Sequence, residues 1–204
     1  MNKIIKTNRL LLRPIKIDDL QIIQNYSIDP EWNRFLDFHT KESVKEFVLK
    51  AVYSDWLDNA RFTITLNNEV IGGIGLDINQ KEKRAELGYS LSKRYWGLGI
   101  IPEAAKEVVN YGFNLLNIEK IYAQTDLRNL PSQSVMKKLQ MNKEGVFRKH
   151  VIYKNIRRDV VFYSILKTDW ETSNYYKLPL YLFNMCMDYM NKVHMYNSDF
   201  RTLT

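Results

Sequence analysis

A short segment broken by two glycines, Arg94-Tyr95-Trp96-Gly97-Leu98-Gly99-Ile100, carries the clearest chemical signal in the sequence. A strand-like stretch precedes it, and a long amphipathic helical pattern follows it. A tight turn that leads into a helix leaves several backbone N–H groups without partners, and the helix dipole adds to their attraction for an anion. Gly97 and Gly99 have no Cβ atom that would hold a pyrophosphate away. The segment predicts a phosphate-binding loop, although a glycine pair alone more often makes only a turn.

Further motifs lie in order along the chain on both sides of this loop. They are Thr7-Asn8-Arg9-Leu10-Leu11-Leu12-Arg13-Pro14, Glu86-Leu87-Gly88-Tyr89, Asn129-Leu130-Pro131-Ser132, Val135-Met136-Lys137-Lys138-Leu139 and Tyr163-Ser164-Ile165-Leu166. Together with the loop, they resemble the GNAT superfamily of acyl-CoA-dependent N-acetyltransferases, in the branch of the ribosomal-protein-alanine acetyltransferases. The resemblance covers residues 7 to 168. Lys138-Leu139-Gln140-Met141 departs from the family's usual K-L-G-F, and Pro102 replaces a small or hydroxyl residue.

The resemblance implies transfer of an acetyl group from acetyl-CoA to a primary amine. This reaction needs a neutral amine, stabilisation of an oxyanion and a proton for the departing thiolate. The family places a general base at Glu86, whose alternative is a surface or salt-bridging carboxylate. It places a proton donor for the thiolate at Ser132 and a contact to pantetheine at Asn129, although both residues could equally be helix caps. Tyr122 and Tyr163 are secondary candidates for the proton donor, or ordinary strand aromatics.

The cofactor site implied by the resemblance combines the loop with backbone N–H groups of the preceding strand, where the oxyanion is expected. Arg94 is either a phosphate ligand or a surface arginine, and Tyr95 and Trp96 are expected to pack beneath the turn. The full set is Tyr89, Ser90, Leu91, Arg94, Tyr95, Trp96, Gly97, Leu98, Gly99, Ile100, Asn129 and Ser132.

An aromatic-rich loop lies where related enzymes receive the acceptor amine. Trp32, Phe35, Phe38 and His39 belong to it, and His150 in the last hairpin could line the same channel. Core packing is the competing interpretation for the aromatic residues, and a solvent-facing strand position is the competing one for His150.

The elements that must position these residues alternate between strand and helix patterns. Helices are predicted after an Asp18 or Asp19 cap, after a Thr40 to Ser43 capping box, after the loop and from Pro131 to Leu139. Asn67-Asn68 predicts a hairpin turn between two strands. Strand alternation places Glu86 on the face opposite Leu87 and Tyr89.

These elements predict an α/β fold with a central twisted sheet and helices on both faces. The resemblance specifies a mixed, mostly antiparallel sheet whose two central parallel strands splay apart to admit the pantetheine arm. Residues 1–170 are assigned to this domain, and residues 171–204 to a C-terminal helical extension that is apolar around most of its circumference. The extension could pack on its own domain, form a homodimer contact, lie on a membrane surface or cover the substrate.

The composition is that of a globular protein of one main domain. The net charge of +7 permits an anionic partner, either a nucleotide cofactor or a ribosomal surface. Cys186 is the single cysteine and the three histidines are well separated, so no metal site is predicted. The chain lacks a signal-peptide pattern and an apolar stretch long enough to span a bilayer, and a cytoplasmic location is expected.

Two other classes of function remain open from the sequence. A non-catalytic acyl-CoA-binding or protein-interaction module would keep the loop and use Glu86 and Ser132 only for structure. A ribosome or nucleic-acid binder would need no cofactor.

Overall fold

The computed structural model describes residues 3–35 and 40–175, which include eight strands in one mixed sheet. The strands are β1 (Ile5–Lys6), β2 (Leu10–Pro14), β3 (Asn59–Leu66), β4 (Glu69–Asn79), β5 (Arg84–Leu91), β6 (Lys120–Asp126), β7 (Asn142–Tyr153) and β8 (Ile156–Leu166). Their order in the sheet is β1-β2-β3-β4-β5-β6-β8-β7. The helices are α1 (Leu20–Ser27), α2 (Lys41–Tyr53), α3 (Ile100–Leu115), α4 (Leu130–Lys138) and α5 (Lys167–Tyr175).

The chain divides into two units after Leu166. Of the second unit the structure describes α5, in which Lys167 and Glu171 pair across one helical turn at 3.9 Å. The apolar segment predicted to form a helix or a dimer contact lies at residues 176–204, outside the described residues. In the stretches 3–35 and 40–175, no helix combines the length and the hydropathy that crossing a membrane requires.

Local sequence signals fix several of the element boundaries. Asn67 and Asn68 adopt φ angles of +50° and +65°, which is the twist that a two-residue hairpin between β3 and β4 requires. Thr40 Oγ1 accepts a hydrogen bond from the Ser43 N–H at 3.1 Å, and this confirms the predicted start of α2.

The predicted aspartate cap of α1 is wrong, because no side chain caps this helix. The Asp19 carboxylate turns toward the sheet instead. There it accepts hydrogen bonds from both terminal nitrogens of Arg13, from the Lys16 N–H and from the Thr63 hydroxyl, at 2.6 to 2.9 Å. A buried carboxylate needs this many partners, so tertiary contacts take precedence over the cap.

Helices cover both faces of the sheet. On one face, Ile23 of α1 and Val44 and Val48 of α2 form a buried cluster. On the other face, α3 lies so close to the sheet that a Cβ atom at Gly112 would come within 2.9 Å of the side chains of Ile121 and Leu76. The close approach holds the C-terminal half of α3 against β4 and β6.

The centre of the sheet opens between β5 and β6, which run parallel. Residue pairing between them covers only Arg84 with Lys120, Ala85 with Ile121 and Glu86 with Tyr122. β5 continues to Leu91 and β6 to Asp126 without further pairing between these two strands. The predicted fold is therefore confirmed, including the two splayed parallel strands.

Candidate active site

The glycine loop between β5 and α3 exposes a row of backbone donors. Gly97 and Gly99 have φ angles of +77° and +73°, in the left-handed region that glycine adopts at little cost. Among the described residues, the N–H groups of residues 97–101 have no hydrogen-bond acceptor, and the first helical bond runs from the Glu103 N–H to the Gly99 carbonyl at 3.3 Å. Five consecutive free amides at a helix N-terminus form a site for an anion.

Arg9 contacts this loop from almost ninety residues away, and the sequence analysis did not identify it as a site residue. Its Nη1 donates to the Leu98 carbonyl at 3.0 Å and its Nε to Glu103 Oε2 at 2.7 Å. A Cβ atom at Gly99 would lie 3.8 Å from Arg9 Nη2. Arg9 therefore brings a positive charge beside the free amides. Its motif was visible in the sequence, but no local pattern indicated that it reaches the loop.

Glu103 lies in the first turn of α3, where its negative charge would otherwise repel a bound anion. Burial acts to raise its pKa, but hydrogen bonds from the Thr7 hydroxyl and from Arg9 outweigh this effect and hold the pKa below its ordinary value. The carboxylate is thus ionised and paired with Arg9, with Nη2 at 2.7 Å from Oε2. The pair leaves the loop without net negative charge.

The aromatic and basic residues before the glycines are tied to other parts of the sheet. The Arg94 side chain is 77% exposed and lies 3.7 Å from Glu69 Oε1, and the Tyr95 hydroxyl donates to Glu69 Oε2 at 2.8 Å. The Trp96 ring N–H donates to the Leu91 carbonyl at 2.8 Å. This bond satisfies the carbonyl of the last residue of β5, beside the gap.

Asn129 and Ser132, at the start of α4, have different roles. Asn129 caps the helix, since its Oδ1 accepts from the Ser132 N–H at 3.2 Å. The Ser132 hydroxyl lies 2.8 Å from the Tyr89 hydroxyl, which projects from β5 beyond the last residue pair with β6. Burial raises the pKa of Tyr89 to about 12, so this phenol stays protonated at neutral pH. Two hydroxyl groups therefore meet on the α4 side of the gap.

Glu86 lies on the opposite face of β5, half-buried, where Gln124 Nε2 donates to its Oε1 at 3.0 Å. Tyr122 shares this face, and burial followed by the charge of Glu86 raises its pKa. Tyr163 does not share it, because its buried hydroxyl donates to Gln133 of α4 at 3.3 Å. Of the two secondary tyrosines, only Tyr122 lies near Glu86.

A cavity of about 180 Å³ opens on this second face, between α1, α2 and the sheet. Its described lining is mostly apolar and aromatic: Ile15, Ile23, Tyr26, Trp32, Val44, Phe47, Arg61, Phe62, Thr63, Gly72, Gly73, Ile74, Gly88, Tyr89 and Ser90. The predicted acceptor residue Trp32 lines it and is 6% exposed, so it also belongs to the core.

The other predicted acceptor residues are not in this lining. Phe35 lies beneath the Arg34 guanidinium, 5.2 Å from it. His150 is exposed, and its ring centre lies 5.2 Å from that of Phe147 and 5.7 Å from that of Phe162. Phe38 and His39 lie outside the described residues.

Tyr26, a cavity residue that the sequence analysis missed, reaches β5 from α1. Burial raises the pKa of its phenol to about 12, against a smaller opposing effect of a hydrogen bond with Ser90. Ser90 and Tyr89 point to opposite faces of β5, so a protonated phenol stands on each side of the gap. Only its helical spacing pointed to Tyr26, and this pattern predicts core packing as readily as a site.

These groups match the needs of acyl transfer to an amine. The free amides of residues 97–101 form an anion site at one end of the gap. The Tyr89 and Ser132 hydroxyls meet on one face of β5, and Glu86 lies on the other face, where the apolar cavity opens.

Comparison with known proteins agrees with this geometry. Residues 9–142 match the family model described as "Acetyltransferase (GNAT) domain". An uncharacterized N-acetyltransferase of Bacillus licheniformis, p20, is 32% identical over 171 residues, covering 80% of this chain and 96% of that protein. The spermidine N(1)-acetyltransferase of Escherichia coli K12 is 29% identical over 138 residues, covering 66% of this chain and 73% of that protein.

Solved structures show the same fold. A GNAT-family acetyltransferase from Bacillus anthracis has a TM-score of 0.73 at 29% identity, covering 81% of this chain and 99% of that chain. The ribosomal L7/L12 α-N-protein acetyltransferase RimL, in complex with coenzyme A, has a TM-score of 0.74 at 19% identity, covering 80% of this chain and 97% of that chain, and shows the fold alone. The chain therefore belongs to the GNAT acetyltransferase family and is an N-acetyltransferase.

Proposed function

We propose that this enzyme uses acetyl-CoA and transfers the acetyl group to a primary amine by direct attack in a ternary complex. The observation that carries the proposal is the row of free amides at residues 97–101, placed beside the gap where β5 and β6 separate. A diphosphate fits these donors, and the glycines leave space for it. Strand edges that are unpaired after Glu86 and Tyr122 can bond the amides of the pantetheine arm.

The cofactor residues named from the sequence have separate tasks in this proposal. Residues 97–101, with Arg9 beside them, hold the diphosphate, and Asn129 orders the start of α4. Backbone N–H groups near Tyr89 to Leu91 stabilise the oxyanion. When bound, acetyl-CoA supplies the acetyl group as a thioester.

Glu86 and Ser132 manage the protons. The acceptor amine loses one proton before it attacks, and Glu86 takes this proton either directly or through water. A nitrogen–carbon bond would form as the carbon–sulfur bond breaks, and the leaving sulfur would need one proton, for which the Ser132 hydroxyl is the proposed donor. Tyr89 bonds to this hydroxyl. The nitrogen would lose its second proton as the amide forms, this proton would pass through water to the Ser132 oxygen, and Glu86 would release the first proton to solvent, so that both groups return to their starting states.

The acceptor is a protein N-terminus, such as that of a ribosomal protein, or a small-molecule amine. The E. coli relative is named for spermidine, and RimL for the α-amine of a ribosomal protein. The net charge of +7 suits docking on a ribosomal surface. A cytoplasmic location agrees with both acceptors and stays a prediction.

A binding measurement paired with a turnover assay tests the proposal. Calorimetry with CoA should show tight binding, and a thiol-release assay with acetyl-CoA should show turnover with at least one class among peptide N-termini, polyamines, aminoglycosides and amino acids. Binding without turnover on any amine would indicate the non-catalytic module. Absence of CoA binding, with salt-sensitive RNA binding, would indicate the nucleic-acid binder.

A further inference from the structure

One row of residues crosses three strands on the acceptor face of the sheet. Arg61 of β3 pairs with Gly75 of β4, and Gly75 pairs with Gly88 of β5. A Cβ atom at Gly75 would lie 2.6 Å from Arg61 Cδ, and one at Gly88 would lie 3.3 Å from Arg61 Nη1. The two glycines thus let the arginine side chain lie flat across β4, with its guanidinium over β5.

The guanidinium is held on three sides and open on the fourth. Its Nε donates to Asn59 Oδ1 at 2.9 Å, its Nη2 donates to Asp77, and the Phe47 ring lies 5.7 Å from its central carbon. Among the described residues, Nη1 has no hydrogen-bond acceptor. The side chain is 13% exposed and lines the cavity, so Nη1 is a fixed donor that faces the acceptor space.

The charge around the cavity is unusual for an amine acceptor site. None of the described lining side chains is acidic. The nearby Asp19 carboxylate is already paired with Arg13 and bonded to Thr63. On the same face, Asp77 is already paired with Arg61. Among the described residues, a polycation would therefore find Glu86 as the carboxylate without a cationic partner, beside an arginine and apolar walls.

Glu86 and Gly88 lie two residues apart on the same face of β5, which separates their Cα atoms by about 6.6 Å. An acceptor whose amine lies near Glu86 therefore presents its adjacent atoms to the guanidinium over Gly88. A carbonyl or carboxylate oxygen at that point would accept from Nη1 in a charge-assisted hydrogen bond.

We propose that Arg61 recognises a carbonyl or carboxylate oxygen next to the attacking amine. This inference rests on the proposed function and narrows its acceptor to an α-amino acid unit, either free or at a peptide N-terminus. The apolar cavity takes the side chain of that unit. Polyamines, which lack such an oxygen, are poor acceptors.

The test compares leucinamide with isopentylamine, which has the same hydrocarbon chain without the carbonyl. The α-amine of leucinamide has a pKa of about 8 and the alkylamine one of about 10, so at neutral pH the ratio of the two kcat/KM values already favours leucinamide. The readout for Arg61 is therefore the change in this ratio on substitution. Arg61→Met should lower the ratio about 10- to 100-fold relative to wild type, the range expected for one charge-assisted hydrogen bond in a buried site. Arg61→Lys, which keeps a charge but loses the planar fork, should leave an intermediate ratio. Lys45→Met, on the exposed side of α2, is the charge-matched control and should keep the wild-type ratio.

Free leucine and a leucine-initiated tripeptide identify the source of the oxygen, and preference for either one supports the inference. A wild-type ratio near one, a higher kcat/KM for spermidine than for leucinamide, or an Arg61→Met variant with the wild-type ratio would overturn it while leaving the acetyltransferase function intact. A chain that binds CoA but acetylates no amine would overturn both. Calorimetry that shows CoA binding by each variant establishes that the variant is folded.

Discussion

The proposed coenzyme site and the proposed acceptor site lie on different sides of β5 and are built from different groups. On the coenzyme side, the donors are the main-chain N–H groups of residues 97–101, in a loop whose Trp96 and Leu98 side chains are 42% and 55% exposed. On the acceptor side, packed side chains from α1, α2, β3 and β5 surround a cavity. The first site depends on backbone conformation and the second on side-chain identity. A substitution in the loop should therefore weaken CoA binding, whereas a substitution at Glu86 should lower turnover and leave CoA binding unchanged.

The largest effect is expected at Gly99. Gly99→Glu adds a carboxylate beside the diphosphate, and two unit charges about 4 Å apart near a protein surface repel by about 4 kcal/mol. This predicts about 1,000-fold weaker CoA binding by calorimetry. Gly145→Glu is the matched control, because a Cβ atom at Gly145 meets nothing within 4 Å and should leave CoA binding unchanged. Wild-type affinity in Gly99→Glu would remove the loop from the coenzyme site.

On the acceptor face, Glu86→Gln should reduce kcat about 100-fold, the usual contribution of a general base. The amide keeps the shape of the carboxylate, so CoA affinity should stay within about twofold of wild type, and steady-state kinetics with calorimetry separate the two effects. Glu119→Gln, at an exposed salt bridge with Lys83, is the control. Normal turnover in Glu86→Gln would leave water or another group as the base.

Beneath the acceptor cavity, Asp19→Asn should lower the free energy of unfolding by about 2 kcal/mol at pH 7, because Arg13 would lose its buried partner. Burial acts to raise the pKa of Asp19, but hydrogen bonds from Arg13, Lys16 and Thr63 hold it below the ordinary value of 3.8. The stabilisation is thus complete above that value and is lost as the pH falls through the lower, folded-state pKa.

Urea titrations at pH 7, 5 and 3 measure this difference between wild type and Asp19→Asn. The difference in the free energy of unfolding should be the same at pH 7 and 5 and should be smaller at pH 3. The exposed Asp58 offers a control, since Asp58→Asn should change stability little at any of the three values. A difference in the free energy of unfolding that grows as the pH falls would contradict the assigned ion pair.

The smallest effect is expected from Tyr89→Phe on the coenzyme side, with kcat about 10-fold lower and CoA affinity unchanged. The variant keeps the ring but removes the hydroxyl that lies 2.8 Å from Ser132 Oγ. Tyr163→Phe removes a hydroxyl that contacts Gln133 on the same face of the sheet, and should keep kcat near wild type. Equal losses in both variants would mean that the Tyr89 hydroxyl acts only through packing.

The glycine loop and the helix cap at Asn129 could be predicted from the sequence because their signals are local, whereas the contact of Arg9 with the loop could not, since Arg9 lies almost ninety residues away. The glycines, the helix that follows and the Asn129 cap each lie within a few residues of the groups they position. The acceptor side could not, since Arg61 reaches its place through glycines on two other strands, and no single segment contains that row. Asp19 shows the same limit. The sequence pattern predicts a local helix cap, whereas the carboxylate is bonded to Arg13 of β2 and Thr63 of β3.

The bonds from Arg9 to Leu98 and Glu103 join the first strands of the chain to the coenzyme loop. The loop and the start of α3 therefore depend on a segment that lies some ninety residues earlier in the chain. A shortened chain that begins at Leu10 would keep every glycine and every amide of the loop. It would nevertheless lose the Arg9 side chain, which bonds to Leu98 and Glu103. Removal of the first nine residues should therefore weaken CoA binding, although these residues lie far from the loop in sequence.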